Sequence, residues 1–233
     1  GATSNRVASL DTRLKLTANW VLNGQWMRSY TRESGGARMA GPAYFAELFH
    51  SGKHLYYSGR YADRSPDFRS QLGFIPRVDI RQAEQLCGYR WRTAGRRLLS
   101  FGPGFSALVN WDRQNRLQDW RAYLFFSLEF TRQTLLEGFR SESYELFQGQ
   151  GFRKHNSEIF LFSDWLKWLG ITAGYGQGTN VNFFPAPGIA PFLANSAQGR
   201  FALRLRPAPN VGLEETYLYT RLDTRQGSTP LGV

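Results

Sequence analysis

The chain has a single cysteine, Cys87, in 233 residues. That excludes an intramolecular disulfide and a cysteine-ligated zinc site, and a lone free cysteine reads as a small buried or lipid-facing side chain. Histidine is almost as scarce, at His50, His54 and His155. No G-x-S-x-G elbow accompanies them, so serine hydrolase chemistry finds no motif. His50 and His54 flank a tight turn, but a structural zinc takes four ligands and no others stand near them. Lysine occurs only at 15, 53, 154 and 167, so nearly all of the 29 cations are arginine. No apolar run approaches the roughly 18–20 residues of a membrane helix, a test to which a β-barrel is blind. The chain opens at Gly1 without a signal-peptide pattern and reads as a mature or internal segment.

What is abundant points to strands. The chain carries 24 Gly, 10 Pro and 15% aromatic residues, a composition of many strands joined by turns. His54–Arg81 sets the pattern: Leu55, Tyr57, Gly59 and Tyr61 fall on one side of an extended chain, and Tyr56, Ser58 and Arg60 on the other. Asp63–Phe74 then gathers turn formers with two Phe, which predicts a folded loop or one short helix. Val7–Leu16 pairs with Asn19–Tyr30, where Trp20, Leu22 and Trp26 oppose Asn19, Asn23 and Gln25. Tyr44–His50 pairs with the strand from His54 across Ser51-Gly52-Lys53. Val78–Arg92 and Arg97–Trp111 are long, and Pro103 predicts a bulge or an unpaired position. Leu117–Phe130 sets Trp120, Ala122, Leu124, Phe126, Leu128 and Phe130 against Asp119, Arg121, Tyr123, Ser127 and Glu129, with only Phe125 out of step.

Continued through Gln133–Leu146, Ser157–Leu166, Ile171–Gly178, Phe201–Arg206 and Val211–Asp223, the pattern counts about twelve strands. Short connections fall near 17, 52, 95, 131, 169 and 208, and long ones near 36, 68, 152 and 188, with only Asp112–Arg116 short for its side. An outer-membrane barrel alternates short periplasmic turns with longer external loops. The predicted fold is therefore all-β: one antiparallel transmembrane β-barrel domain of outer-membrane type over residues 1–233. Trp20, Trp26, Tyr57, Tyr61, Trp111, Trp120 and Tyr219 suit its interfacial girdles, where a large β-sandwich would bury them as core.

The residues also carry a family resemblance. Asp67-Phe68 followed by Leu72-Gly73-Phe74-Ile75-Pro76-Arg77-Val78-Asp79, after the Tyr-rich strand, resembles the DF…GF(I/V)xRxD signature of an uncharacterised outer-membrane barrel domain. That domain typically follows a family-9-like carbohydrate-binding module in Gram-negative bacteria. Asn5–Asp11 and Glu215–Leu222 are similar to other recurring segments of it. The resemblance implies an incomplete barrel, with the sugar-binding module and closing strands outside this sequence. It implies outer-membrane lipid and a saccharide or other polar solute as partners, and no catalytic residues.

The parity assignments send Arg60, Asp119, Arg121, Glu129, Arg200, Arg204 and Arg206 into the lumen, because a cation facing the lipid midplane costs roughly 2–4 kcal/mol. Such charges either contact solute or form an Arg–carboxylate ladder that stiffens the interior. Asp67, Phe68, Phe74, Arg77 and Asp79 belong to a loop at the mouth. Gly174–Gly178 resembles a phosphate loop only in its glycines and reads as strand. Glu137, Glu142 and Glu145 are the carboxylates available for sugar hydrolysis, of unknown separation. A non-enzymatic barrel that passes or docks polar solutes is the leading expectation, with no cofactor, metal or nucleic-acid site predicted. A net charge of +11 keeps a second class open: a soluble β protein gripping acidic glycans or other polyanions through Arg200, Arg204 and Arg206. An outer-membrane hydrolase without a recognisable motif is the third.

Overall fold

The computed structural model describes residues 3–70, 77–208 and 210–223. The fold is all-β, with no helix among the described residues. The strands are β1 (Ser4–Lys15), β2 (Trp20–Arg32), β3 (Arg38–Ser51), β4 (Leu55–Arg64), β5 (Ile80–Tyr89), β6 (Trp91–Arg92), β7 (Leu98–Trp111), β8 (Leu117–Phe130), β9 (Thr134–Phe147), β10 (Gln150–Leu166), β11 (Leu169–Asn182), β12 (Phe192–Ala208) and β13 (Val211–Asp223). Hydrogen bonds join them in sequence order, β1-β2-β3-β4-β5-β7-β8-β9-β10-β11-β12-β13, with β6 attached to β7. This is a meander whose order has two ends, β1 and β13. Two units of internal contact emerge, Gly1–Cys87 with Ser106–Trp120, and Gly88–Phe105 with Arg121–Val233.

Several strands run further than their side chains announce. β10 extends through most of the segment that reads as a loop near 152, and β3 and β12 extend into part of those near 36 and 188. The ladder is built from backbone N–H and C=O groups, which pair regardless of a Gly, Asn or Lys side chain. The expected alternation of loop lengths is therefore only partly present. Gln148 and Gly149 alone join β9 to β10, at φ 50 and 79, the left-handed pair of a tight hairpin turn. Gln71–Pro76, including the mouth-loop residue Phe74, lies outside the described residues.

The strand expected over Val78–Arg92 is split at Arg90, between β5 and β6. Opposite the break, a side chain on Gly102 would collide with the Tyr89 carbonyl oxygen. β7 itself runs through Pro103 without a break, and the interruption falls in the neighbouring strand, beside a glycine that lets the two backbones close up.

Register sorts the side chains onto two faces. In the first unit the pairs Ser29↔Gly41, Asn23↔Glu47 and Glu47↔Arg60 define a polar face, which on β1 carries Asn5, Asp11 and Arg13. The opposite, apolar face presents Leu10, Leu14, Leu22, Trp26, Tyr44, Leu48, Tyr57 and Tyr61. In the second unit Glu158↔Gly176, Gly176↔Gln198 and Gly174↔Arg200 share the polar face, and Ile159↔Tyr175 and Phe201↔Tyr217 the apolar one.

The burial of the two faces is inverted relative to a soluble domain. Ser29 is the largest fully buried side chain among the described residues, and Ala43 and Ala194 are also at 0% exposure, all three on the polar face. Leu10 is 70% exposed, Leu124 59% and Tyr217 63%, all on the apolar face. Val7, Phe49 and Leu218 depart from the pattern as exposed apolar side chains on the polar parity.

Candidate functional site: the polar face of the strands

Across the first unit the polar face is tied together by side chains. Gln25 Nε2 donates to Asp11 Oδ1 at 2.5 Å, and Asn23 Nδ2 to Glu47 Oε2 at 3.0 Å. Arg60 Nε donates to the other Glu47 oxygen at 2.7 Å, and its guanidinium lies 3.8 Å from Glu84. A groove of about 520 Å³ runs beside this ladder, lined by Asp11, Arg13, Asn23, Gln25, Phe45 and Glu47. Amides, carboxylates and guanidinium supply paired donors and acceptors for a hydroxyl-rich solute, and the Phe45 ring a flat apolar surface.

The segment after β4 lies on this same face. Ser65 N donates to Pro42 O at 3.1 Å and Phe68 N to Ser65 O at 3.2 Å, closing a turn at Pro66-Asp67. Arg69 N then donates to Ser29 Oγ at 2.9 Å, and Asn5 Nδ2 to Arg69 O at 3.1 Å. Phe68 is only 2% exposed. Gly41 makes the seat: a Cβ there would stand 2.6 Å from the Asp67 carbonyl carbon and closer still to Phe68 N. A folded loop was expected over Asp63–Phe74, and within its described part the chain is strand to Arg64, then this turn.

Of the mouth-loop residues, Asp67 and Phe68 sit in that turn, and Arg77 Nη1 reaches Asp119 Oδ2 at 2.6 Å. Asp119 also accepts from Asn110. Asp79 takes a left-handed φ of 55, which Asp tolerates better than most residues.

In the second unit Glu129 accepts from Ser100 Oγ at 2.7 Å. Together with Ser127 and Glu137 it lines a groove of about 490 Å³. Phe125, out of step in the sequence, packs 6.4 Å from Phe139 and fills the space that a side chain on Gly104 would take. The Arg121 guanidinium lies 4.8 Å from the centre of the Tyr123 ring. Arg204 holds both oxygens of Asp164, at 2.5 and 2.6 Å, while Arg200 and Arg206 are exposed. The three arginines are thus not equivalent, since Arg204 is occupied within the chain.

The carboxylates considered for sugar hydrolysis do not gather. Glu142 takes the opposite parity of β9 from Glu137 and Glu145, and pairs with Arg140 at 2.7 Å, while Glu145 pairs with Lys154 at 2.6 Å. Gly174–Gly178 lies within β11. His50 packs tilted against Trp20, ring centres 4.4 Å apart.

Glu47, Asp63, Asp112 and Asp164 are partners that sequence reasoning missed. Asp63 pairs with Arg113 and lies 3.5 Å from Arg81. Asp112 is buried in the β7–β8 connection, where it accepts from the backbone N–H of Gln114 and Arg116, from Arg116 Nε at 2.7 Å and from Gln118 Nε2 at 3.0 Å. Burial alone would push its carboxyl up, but the Arg116 and Gln114 contacts together hold it below the usual range. Of these four, only Asp112 had a local signal, an Asp opening a short polar turn. Comparison with protein-family models, with curated proteins and with solved structures found no match.

Proposed function

We propose that this chain forms wall strands of an outer-membrane β-barrel that passes or docks a polar solute, a saccharide being the favoured class. The observation that carries the reading is the inverted burial, with small and polar side chains packed on one face and Leu, Trp, Tyr and Phe exposed on the other. Water penalises a broad exposed apolar surface, whereas lipid rewards it. Along β2, ten residues separate Trp20 from Tyr30; at ~3.3 Å per residue and a tilt of about 40° this spans ~25 Å, the height of the apolar band of such barrels. Trp20 with Tyr57, and Tyr61 with Trp111, form aromatic contacts at two levels of the apolar face, the kind of pairing from which girdles are built.

The saccharide class is supported by the amide, carboxylate and aromatic lining beside Asn23 and Phe45 and by the resemblance to a domain that accompanies sugar-binding modules. In this reading Ser65–Arg69 lies inside the mouth on the polar wall and narrows entry. The chain should require detergent for extraction, show a heat-modifiable band on gels and give β-type circular dichroism. Solubility without detergent would overturn the reading. Deleting Ser65–Arg69 should raise single-channel conductance in a reconstituted bilayer, and an unchanged conductance would make the segment a structural cap only.

A further inference from the structure

On β9–β13 the apolar face changes character part-way along the strands. Ile159, Tyr175, Gly199 and Tyr219 form one cross-strand row of that face. The next row, two residues further along each strand, is Arg140, Ser157, Gln177, Ala197 and Arg221, joined pair by pair across five strands. Ala197 and Gly199 leave the middle low, and a groove of about 420 Å³ opens there between Tyr175, Tyr219 and the polar row. Arg140 is aimed by hydrogen bonds to Ser157 Oγ at 2.8 Å and Glu142 at 2.7 Å, and Arg221 by Asp223 at 2.6 Å. Each guanidinium has five N–H donors, more than these contacts use.

This groove is not on the polar face and has no part in solute passage. Resting on the barrel reading, we propose that it is a binding site for the phosphorylated saccharide headgroup of a membrane glycolipid. Below the groove the same parity carries Ile159, Leu161, Phe201 and Leu203, so acyl chains lie against those rows. The polar row stands ~6.6 Å higher along the strands, at headgroup depth, where the cost of outward charge falls from a few kcal/mol toward zero. Each feature matches one part of such a headgroup. Arginine forks take phosphate oxygens in pairs, Gln177 and Ser157 exchange hydrogen bonds with sugar hydroxyls, and the tyrosine rings offer flat faces to a pyranose. A purely anionic phospholipid would use the arginines and leave the amide and ring surfaces without a purpose.

The test uses the full chain folded in neutral detergent, titrated with mixed micelles containing a phosphorylated glycolipid, the same glycolipid after phosphatase treatment, or phosphatidylglycerol. The phosphorylated glycolipid should bind about tenfold or more tightly than either alternative, one charge-assisted contact accounting for roughly one factor of ten. The double variant Arg140→Gln, Arg221→Gln should lose that preference while keeping the heat-modifiable band of the folded protein. Equal binding of all three lipids, or an unchanged preference in the double variant, would overturn the site with the barrel intact. A chain that stays in solution without detergent and binds a free phosphosugar equally well would overturn the lipid source and the barrel reading together.

Discussion

The polar faces of β2–β4 and of β11–β12 are built on opposite plans. On β2–β4 the polar side chains spend their hydrogen-bonding capacity on one another, from Asn23 through Glu47 to Arg60 and Glu84, and a folded segment covers part of that wall. On β11–β12 the same parity is occupied by Gly174 and Gly176 beside an exposed Arg200, with Arg204 alone engaged by Asp164. A cross-strand ladder fixes the wall and presents a set pattern of donors and acceptors. Glycine rows beside the exposed Arg200 leave the backbone open and the local potential strong. A charged face therefore does not imply one role: charges in the first region are structural to a degree that charges in the second are not.

The largest effect is expected where backbone meets backbone. Gly41→Val should destabilise the folded protein by about 3 kcal/mol, the upper end for overpacking, because Asp67 and Phe68 leave no room for a side chain. Thermal unfolding in detergent would measure it, and on the barrel reading conductance should rise with the displaced segment. Gly174→Ala, where the nearest atom is a Phe160 ring carbon at 3.4 Å, should cost well under 1 kcal/mol; equal costs would erase the contrast.

Next comes the ladder. Glu47 has a side chain 17% exposed and accepts from Asn23 and Arg60, so Glu47→Ala should cost about 1–3 kcal/mol by leaving both donors without their acceptor. A midpoint within error of the parent in chemical denaturation would show that the ladder is not structural.

Acid should loosen the β7–β8 connection. The folded Asp112 carboxyl titrates below its unfolded value, so its stabilising share is complete above about pH 4 and fades as pH falls through and below that point. Asp112→Asn should flatten this part of the stability profile, read as the unfolding midpoint against pH. An identical slope in the variant would contradict the assignment.

The smallest change in stability belongs to Arg200→Gln, within about 0.5 kcal/mol because the side chain is exposed. Its signature is functional: on the barrel reading, the reversal potential of reconstituted channels should move toward cations, and an unmoved potential would take Arg200 off the solute path.

The faces were legible in the sequence because a strand has a period of two. Trp20, Leu22 and Trp26 against Asn23 and Gln25 needed no other information, and Trp120–Phe130 even less. Strand lengths were less legible. Gln148-Gly149 looked like the centre of a glycine-bearing loop, yet two left-handed residues suffice to reverse the chain, and the ladder then runs straight through Phe152–Asn156. The lumen-facing list named Arg60, Asp119 and Arg204, but none of Glu47, Asn110 or Asp164, because cross-strand partners are set by register, and a shift of one residue would have reassigned every one. Gly41 was invisible for a further reason, since its neighbours Asp67 and Phe68 arrive from another part of the chain.

The two-residue turn at Gln148-Gly149 and the seat at Gly41 also mark opposite ends of a time course. A turn that short lets β9 and β10 zip outward from adjacent residues, an event of about 1–10 μs for a hairpin. Seating Ser65–Arg69 needs β2 and β3 already side by side and Asn5, 64 positions away, in reach of Arg69. The segment therefore docks late, onto a finished surface, and is the first part that a protease should find when that surface loosens.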